Sequence, residues 1–452
     1  MANDSQQDTK LAAERGVISP APENFLSAAD ITQVASGRRE FLRQAFVQAA
    51  AASGVIAASS SSASEPGDPA ILTLPAHSTG LGQPVAARPY GLPSVWEKSL
   101  QRRESPGLTR VSAASVSFTP LQGLFGIITP SGLHFERHHQ GWWDIDPRQH
   151  RLMINGRVKA PKVYTLDDLM RLPSVSRIHF LECGANTGME WGNVAVPTVQ
   201  YTHGMLSCCE FTGVPLATLL DDCGADLIKG QFLLAEGADG SGMTRTIPIA
   251  RARDDCIVAY AMNGEMLRPE NGYPLRLVVP GSQGVSWVKW LRRIEVGDKP
   301  YGSKDEASHY VDLLPDGTHR QYTSIQECKS VITTPSGGQM LQGPGYYTVT
   351  GLAWSGRGKI KQVDISTDGG INWQPARLQT PILSKCLTRF NLGWYWRGGP
   401  AILQSRAVDE TGYVQPTIRQ LRAVRGIRSI YHNNAIQSWQ VLVSGEVQNV
   451  QV

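Results

Sequence analysis

Near Gln326 the texture of the chain changes, and that change limits what the sequence can fold into. Beyond it, β-branched and apolar runs recur at short intervals. Val349-Thr350, Val363-Asp364-Ile365-Ser366-Thr367 and Leu403-Gln404-Ser405-Arg406-Ala407 read as strands. Asp368-Gly369-Gly370 and Asp409-Glu410-Thr411-Gly412 supply the turns between them. This pattern predicts a β-sandwich of about 110 residues over 326–440, followed by a tail at 441–452. Residues 111–325 instead mix strands and short helices, so the chain as a whole is expected to be α+β. Leu152-Met153-Ile154-Asn155-Gly156-Arg157-Val158 reads as a hairpin turning at Asn-Gly. Thr165 caps a helix that Pro173 ends, and Leu216–Leu220 is a second short helix. Ile178-His179-Phe180-Leu181 is a strand that runs straight into Glu182-Cys183-Gly184-Ala185-Asn186, and Leu275–Gly281 is a buried strand ending in a Pro-Gly turn.

The first 64 residues have the layout of an export signal. Arg38-Arg39-Glu40-Phe41-Leu42-Arg43 precedes an uncharged stretch rich in Ala, Val and Gly, and then a small-residue exit. Paired arginines followed by Phe-Leu point to the twin-arginine route, which carries folded proteins to the periplasm. That route suits a protein whose cofactor is inserted before export. The apolar stretch falls short of the roughly 20 residues that a membrane span needs. Residues 65–110, rich in Pro, Gly and Ser, read as an extended arm or linker. The net charge of +4 comes without any Lys/Arg run, so no nucleic-acid surface is expected. Seven cysteines leave at least one thiol unpaired, and no C-x-x-C-H occurs, so no c-type haem is expected in this chain.

Three stretches could carry chemistry. Cys183 follows an apolar strand and precedes Gly184, which exposes its thiol to whatever lies above. It could be a nucleophile, a soft-metal ligand, half of a disulfide or an inert buried residue. Arg137 sits in His134-Phe135-Glu136-Arg137-His138-His139, a density of cationic and imidazole groups that suits an anion pocket. The same run could instead form a zinc site from His134, His138 and His139, or a solvated loop. Finally, Val278 to Leu291 reads as a buried strand, a Gly-bounded loop and an aromatic-rich strand. On the last of these Lys289 points away from Val288 and Trp290, either to solvent or to a polar cofactor edge.

Taken together, these stretches resemble the sulfite oxidase family of molybdoenzymes over roughly residues 120–440. The matching phrases include Phe180-Leu181-Glu182-Cys183-Gly184-Ala185-Asn186, Phe211-Thr212-Gly213-Val214-Pro215-Leu216, Ala259-Tyr260-Ala261-Met262-Asn263-Gly264-Glu265 and Pro274-Leu275-Arg276-Leu277-Val278-Val279-Pro280-Gly281. Val288-Lys289-Trp290-Leu291, Gly351-Leu352-Ala353-Trp354-Ser355-Gly356 and Val363 to Gly370 continue the match. Their shared order over two domains carries the resemblance. It implies a sulfite-oxidase-type mixed α/β molybdopterin domain followed by an immunoglobulin-like β-sandwich that dimerises. The implied cofactor is molybdenum-molybdopterin, with Cys183 as the thiolate on the metal. Arg137, His139 and Tyr310 would be the catalytic side chains, and His138, Asp239, Asn271, Arg276, Val288 and Lys289 would hold the pterin and its phosphate.

Within the family, the long segment before the signal, Gly132 to His139 and Asp409 to Pro416 resemble the branch that oxidises sulfane sulfur. That implies a c-type cytochrome subunit as electron acceptor, a sulfur-carrier protein or sulfite as substrate, and a homodimer within a heterotetramer. Three positions depart from the family pattern. Asn271 stands for a frequent His, Ser286 for an Arg and Tyr201 for a Trp. Arg389 is the nearest candidate for a second-domain arginine in the pocket. Two other readings are a periplasmic reductase of the same fold, acting on nitrate or methionine sulfoxide, and an exported binding module without cofactor.

Overall fold

The computed structural model describes residues 90–104, 113–308, 310–321, 325–427 and 431–452. The export signal and most of the expected linker lie outside the described residues. Residues 1–97 and 98–452 form separate units. The regular structure described in the first is a single 3-10 turn, Val95–Glu97, which contains the exposed Trp96. Among the described residues no helix is long and apolar enough to cross a membrane.

The segment between about residues 115 and 313 holds two five-stranded sheets. One runs in the order Glu265–Met266, Ile257–Met262, Leu206–Pro215, Val175–Glu182, with Arg276–Val278 also pairing to Ile257–Met262. The other runs Lys162–Tyr164, Leu152–Gly156, Leu291–Gly297, Phe232–Gly237, Thr244–Pro248. Short helices pack beside these sheets. The helix Leu166–Met170 starts as expected: the Thr165 hydroxyl accepts from the Asp168 N–H while the Asp168 carboxylate accepts from the Thr165 N–H. Such a reciprocal cap satisfies two donors that the helix itself leaves unpaired.

The C-terminal part is two sheets with one apolar core between them. Lys329–Thr334, Gly345–Trp354, Thr388–Trp396 and Arg377–Leu378 form the first. Gln374–Pro375, Ile360–Ser366, Ala401–Asp409, Ser438–Val441 and Val447–Val450 form the second. The chain therefore has the α+β architecture read from its sequence, a mixed domain followed by a β-sandwich. The second sheet continues past residue 440, because Val447–Val450 pairs with Ser438–Val441. Gly369 and Gly370 adopt φ of +76° and +92° in the turn read from Asp368-Gly369-Gly370, a region that costs glycine least.

Two local expectations are corrected. Asn155-Gly156 is not a hairpin turn. The strand runs through Gly156 and pairs in parallel with Leu291–Gly297, and it meets Lys162–Tyr164 only after a longer loop. Lys289 is not on a regular strand either. Gly284–Ser286 is a 3-10 turn, Trp290 has φ +51°, and Lys289 touches Arg276 through one isolated bridge. In both cases long-range pairing overrode the local signal.

The strand Val175–Glu182 joins the two domains. Side chains alternate across a strand. Leu181 lies in the core of the mixed domain, with Cys183 packed against it, whereas Ile178 and Phe180 belong to the core of the sandwich. The backbones also touch. A Cβ on Gly281 would lie 2.3 Å from the Gly356 carbonyl oxygen, and one on Gly356 would lie 2.1 Å from the Gly281 carbonyl oxygen. Only glycine at both positions permits that approach.

Candidate active site

Above the end of the Val175–Glu182 strand opens a cleft of about 740 Å³. All ten residues expected at the site line it: Cys183, Arg137, His139, Tyr310, His138, Asp239, Asn271, Arg276, Val288 and Lys289. They come from segments far apart in sequence. Cys183 caps its strand and donates its N–H to the Met205 carbonyl at 3.0 Å. Burial pushes its thiol above the ordinary cysteine range, against the pull of the Ala185 N–H and the Arg137 guanidinium. Gly184 packs closely behind it, since an added Cβ would sit 2.7 Å from Gln283 Oε1 and push that side chain aside.

The cationic side of the cleft is built around Lys289. Its ammonium donates to His138 Nδ1 at 2.8 Å and to the Glu270 carbonyl at 3.1 Å, and lies 4.6 Å from the Trp290 ring centroid. Burial, then the neighbouring Arg276, hold its pKa well below the usual lysine value. His138 is neutral: burial, then Lys289, lower its pKa to about 3. Its Nδ1 accepts from Lys289, so its Nε2–H donates to Glu136 Oε2 at 2.8 Å. Arg276 donates to the Asn271 carbonyl at 3.1 Å, and burial lowers its pKa to about 10. Arg137 lines the mouth and donates to the His138 carbonyl. Val288 is an apolar wall beside them, half-buried His139 lies at the mouth, and Asp239 accepts from the Ser241 hydroxyl.

Tyr310 closes another wall. Its ring stacks on Tyr431 at 4.7 Å and lies beneath the Arg245 guanidinium at 4.2 Å. Burial raises its phenol well above the usual tyrosine range. Arg245, fully buried, was not expected here. The alternation of Thr244–Pro248 could have revealed it, since Arg245 shares a face with buried Ile247. Glu136, Glu270, Trp287 and Trp290 also line the cleft without having been singled out as site residues.

Several expectations placed elsewhere are corrected. Arg389 does not reach the cleft. Its guanidinium donates to the Gly126 and Leu124 carbonyls at 2.9 Å each. A zinc site at His134, His138 and His139 is not formed. His134 turns Nδ1 to the Phe135 carbonyl at 2.6 Å, His138 is engaged as above, and no group of metal-ligating side chains is found among the described residues. Tyr201 packs edge-on against Phe118, and Ser286 is buried in its turn, so neither lines the cleft.

The residues present fit a molybdopterin. Arg276 Nε, Asn271 Oδ1 and His134 Nε2 are buried cleft atoms without a hydrogen-bond partner, and the Gln283 side-chain amide packed behind Gly184 also has none. Buried polar groups are costly unless partnered. Mixed donors and acceptors suit the polar edge of a pterin, and the desolvated Arg276 and Lys289 suit its phosphate. A soft thiolate from Cys183 suits the metal.

Comparison with known proteins agrees. An oxidoreductase molybdopterin binding domain matches residues 139–304, and a Mo-co oxidoreductase dimerisation domain matches residues 320–439. Mitochondrial sulfite oxidase of Mus musculus is 32% identical over 334 residues, 67% of this chain and 60% of that protein. The chain thus spans about 60% of the length of that relative. Sulfite oxidase of Gallus gallus is 30% identical over 332 residues, 67% of this chain and 71% of that protein. The crystal structure of the sulfane dehydrogenase SoxCD from Paracoccus pantotrophus contains a chain 48% identical to this one. The two superpose with a TM-score of 0.84, over 86% of this chain and 100% of that one. The cleft, the two matched domains and these relatives together show that the chain belongs to the sulfite oxidase family of molybdopterin oxidoreductases, close to SoxC.

Proposed function

We propose that the chain is the molybdenum subunit of an enzyme that oxidises a reduced sulfur centre. The substrate is sulfane sulfur bound to a carrier protein, or sulfite. The electrons leave to a c-type cytochrome subunit. The observation that carries this reading is the convergence of Cys183, Arg137, Tyr310 and the buried Arg276–Lys289 pair on one cleft. The molybdenum-pterin, when bound, supplies two-electron oxygen-atom transfer.

The chain's own residues do the rest. Cys183 would hold the metal through its sulfur. Burial holds a proton on that thiol, which it would have to release in order to act as a ligand. Arg276 and Lys289, with Asn271, Asp239, His138 and Val288, would hold the pterin and its phosphate. Arg137 at the mouth offsets the negative charge of a sulfur oxyanion. Tyr310, still a neutral phenol at working pH, donates a hydrogen bond to the substrate's oxygen. His139 lies beside Arg137 at the entrance. Overall, the sulfur gains one oxygen from water and releases two electrons and two protons.

The SoxCD relationship supports the sulfane branch, and the dimerisation-domain match supports a homodimer within a heterotetramer. The Arg38-Arg39 segment supports export through the twin-arginine route to the periplasm. The test is steady-state oxidation with cytochrome c as acceptor, comparing free sulfite with persulfide on a carrier protein and using Cys183→Ser as control. Molybdenum in the wild-type protein and turnover lost in the variant are expected. A purified protein without molybdenum from a competent host, or one that only reduces nitrate or methionine sulfoxide, would overturn the reading.

A further inference from the structure

Cys183 faces the cleft, and its neighbour Glu182 faces the opposite way, into the β-sandwich. The Glu182 carboxylate is buried at the junction of the two domains. Its Oε1 accepts from Lys329 Nζ at 2.9 Å and from Asn186 Nδ2 at 3.0 Å, and its Oε2 accepts from Trp354 Nε1 at 2.8 Å. Lys329 and Trp354 belong to the sandwich. They are directly opposed partners on adjacent strands and so share a face. The Lys329 ammonium also donates to Thr187 Oγ1 at 2.7 Å.

The same domain holds the turn after Cys183. The His432 N–H donates to the Gly184 carbonyl at 2.7 Å, and Gln326 Nε2 donates to the Glu182 carbonyl at 3.3 Å. Thr187 Oγ1 lies 2.7 Å from the Asn433 carbonyl. The turn that carries Cys183 is thus gripped on both sides of the sulfur by groups from beyond residue 325.

An ion pair with both side chains 3% exposed is an expensive way to join two domains. Desolvating the two charges offsets most of their attraction, and apolar residues of the same volume often do as well or better. What the pair does supply is direction. A carboxylate held by three donors on both oxygens has one orientation, and the next residue inherits it.

We propose that Lys329 and Trp354, acting through Glu182, are positioning residues that set how the Cys183 side chain enters the cleft, so that the sandwich shapes the reacting centre. In its reference to a metal-bound sulfur, this inference rests on the function proposed above.

The test uses the full chain, with and without cofactor. The double variant Glu182→Gln/Lys329→Met removes both charges at nearly constant volume, so its melting temperature is expected within about 5 °C of wild type. Trp354→Phe removes one donor together with part of a fully buried ring. In the cofactor-free chain, amide exchange of residues 183–187 and alkylation of Cys183 by iodoacetamide are expected to rise about tenfold in the double variant, and less in Trp354→Phe. In the loaded enzyme, the paramagnetic resonance signal of reduced molybdenum is expected to shift, and kcat to fall about tenfold with KM unchanged.

A folded double variant with wild-type exchange and an unshifted signal overturns the proposal. Should the double variant not fold, unchanged exchange in Trp354→Phe does so. If wild-type protein proves to hold no molybdenum, the proposed function fails, while exchange in the cofactor-free chain still decides this inference.

Discussion

The Lys289 ammonium lies 2.8 Å from Nδ1 of His138, so a buried cation and a neutral imidazole share one hydrogen bond on the wall of the cleft. With Arg276 nearby and the Asp239 and Glu270 carboxylates acting on it in turn, this is a desolvated positive site. Truncating one partner of a buried charged contact costs about 2 kcal/mol or more, or roughly thirtyfold in affinity. Lys289→Met should therefore purify with much less pterin than wild type. Fluorescence of the released, oxidised pterin measures this.

Cys183→Ser should behave differently. The site that grips the pterin is intact and the change is near-isosteric, so pterin content should stay near wild type and the melting temperature should move little. Turnover with cytochrome c should fall by about a thousandfold or more, because an alkoxide is a harder and weaker ligand than a thiolate. Side-by-side pterin, metal and rate measurements on the two variants separate holding the cofactor from using it.

Arg137 stands at the mouth, where charge on the substrate is offset. Arg137→Met should lower kcat/KM for an anionic sulfur substrate by about a hundredfold. Arg137→Lys should recover part of that loss, since it keeps the charge but not the bidentate fork. A neutral substrate should distinguish the two variants far less, and steady-state rates at varied ionic strength report the difference.

His179 gives the fold a pH dependence away from the cleft. It is buried, with Nδ1 donating to the Lys385 carbonyl at 3.3 Å, and Asp255, Lys385 and Arg177 are the charged groups near it. Burial lowers its pKa from 6.5 to about 4. Below 6.5 the unfolded chain takes up the proton first, so stability is lost as pH falls towards 4. At pH 5 this one residue costs about 2 kcal/mol. His179→Gln should flatten the fall in melting temperature between pH 7 and pH 5, as measured by calorimetry.

Much of the site was legible in the sequence because its residues sit in phrases whose local order is tightly constrained. Cys183 follows an apolar strand and precedes a closely packed glycine. Arg276 opens the buried strand Arg276–Val278, which ends three residues before Gly281, whose backbone meets Gly356 of the next domain. Arg245 was missed although it alternates with apolar Ile247 on one face of its strand, a pattern of two positions that a single charge obscures. Asn155-Gly156 misled because its turn signal lost to parallel pairing with Leu291–Gly297.

By itself, then, the sequence determined which elements form and where the sulfur sits along its strand, since periodicity, caps and glycines act over a few residues. Only the tertiary structure decided that His138 is neutral, that Arg389 lies outside the cleft and that Glu182 reaches Lys329, 147 residues away. Burial and electrostatic pairing depend on what arrives from elsewhere in the chain, and no local pattern carries that information.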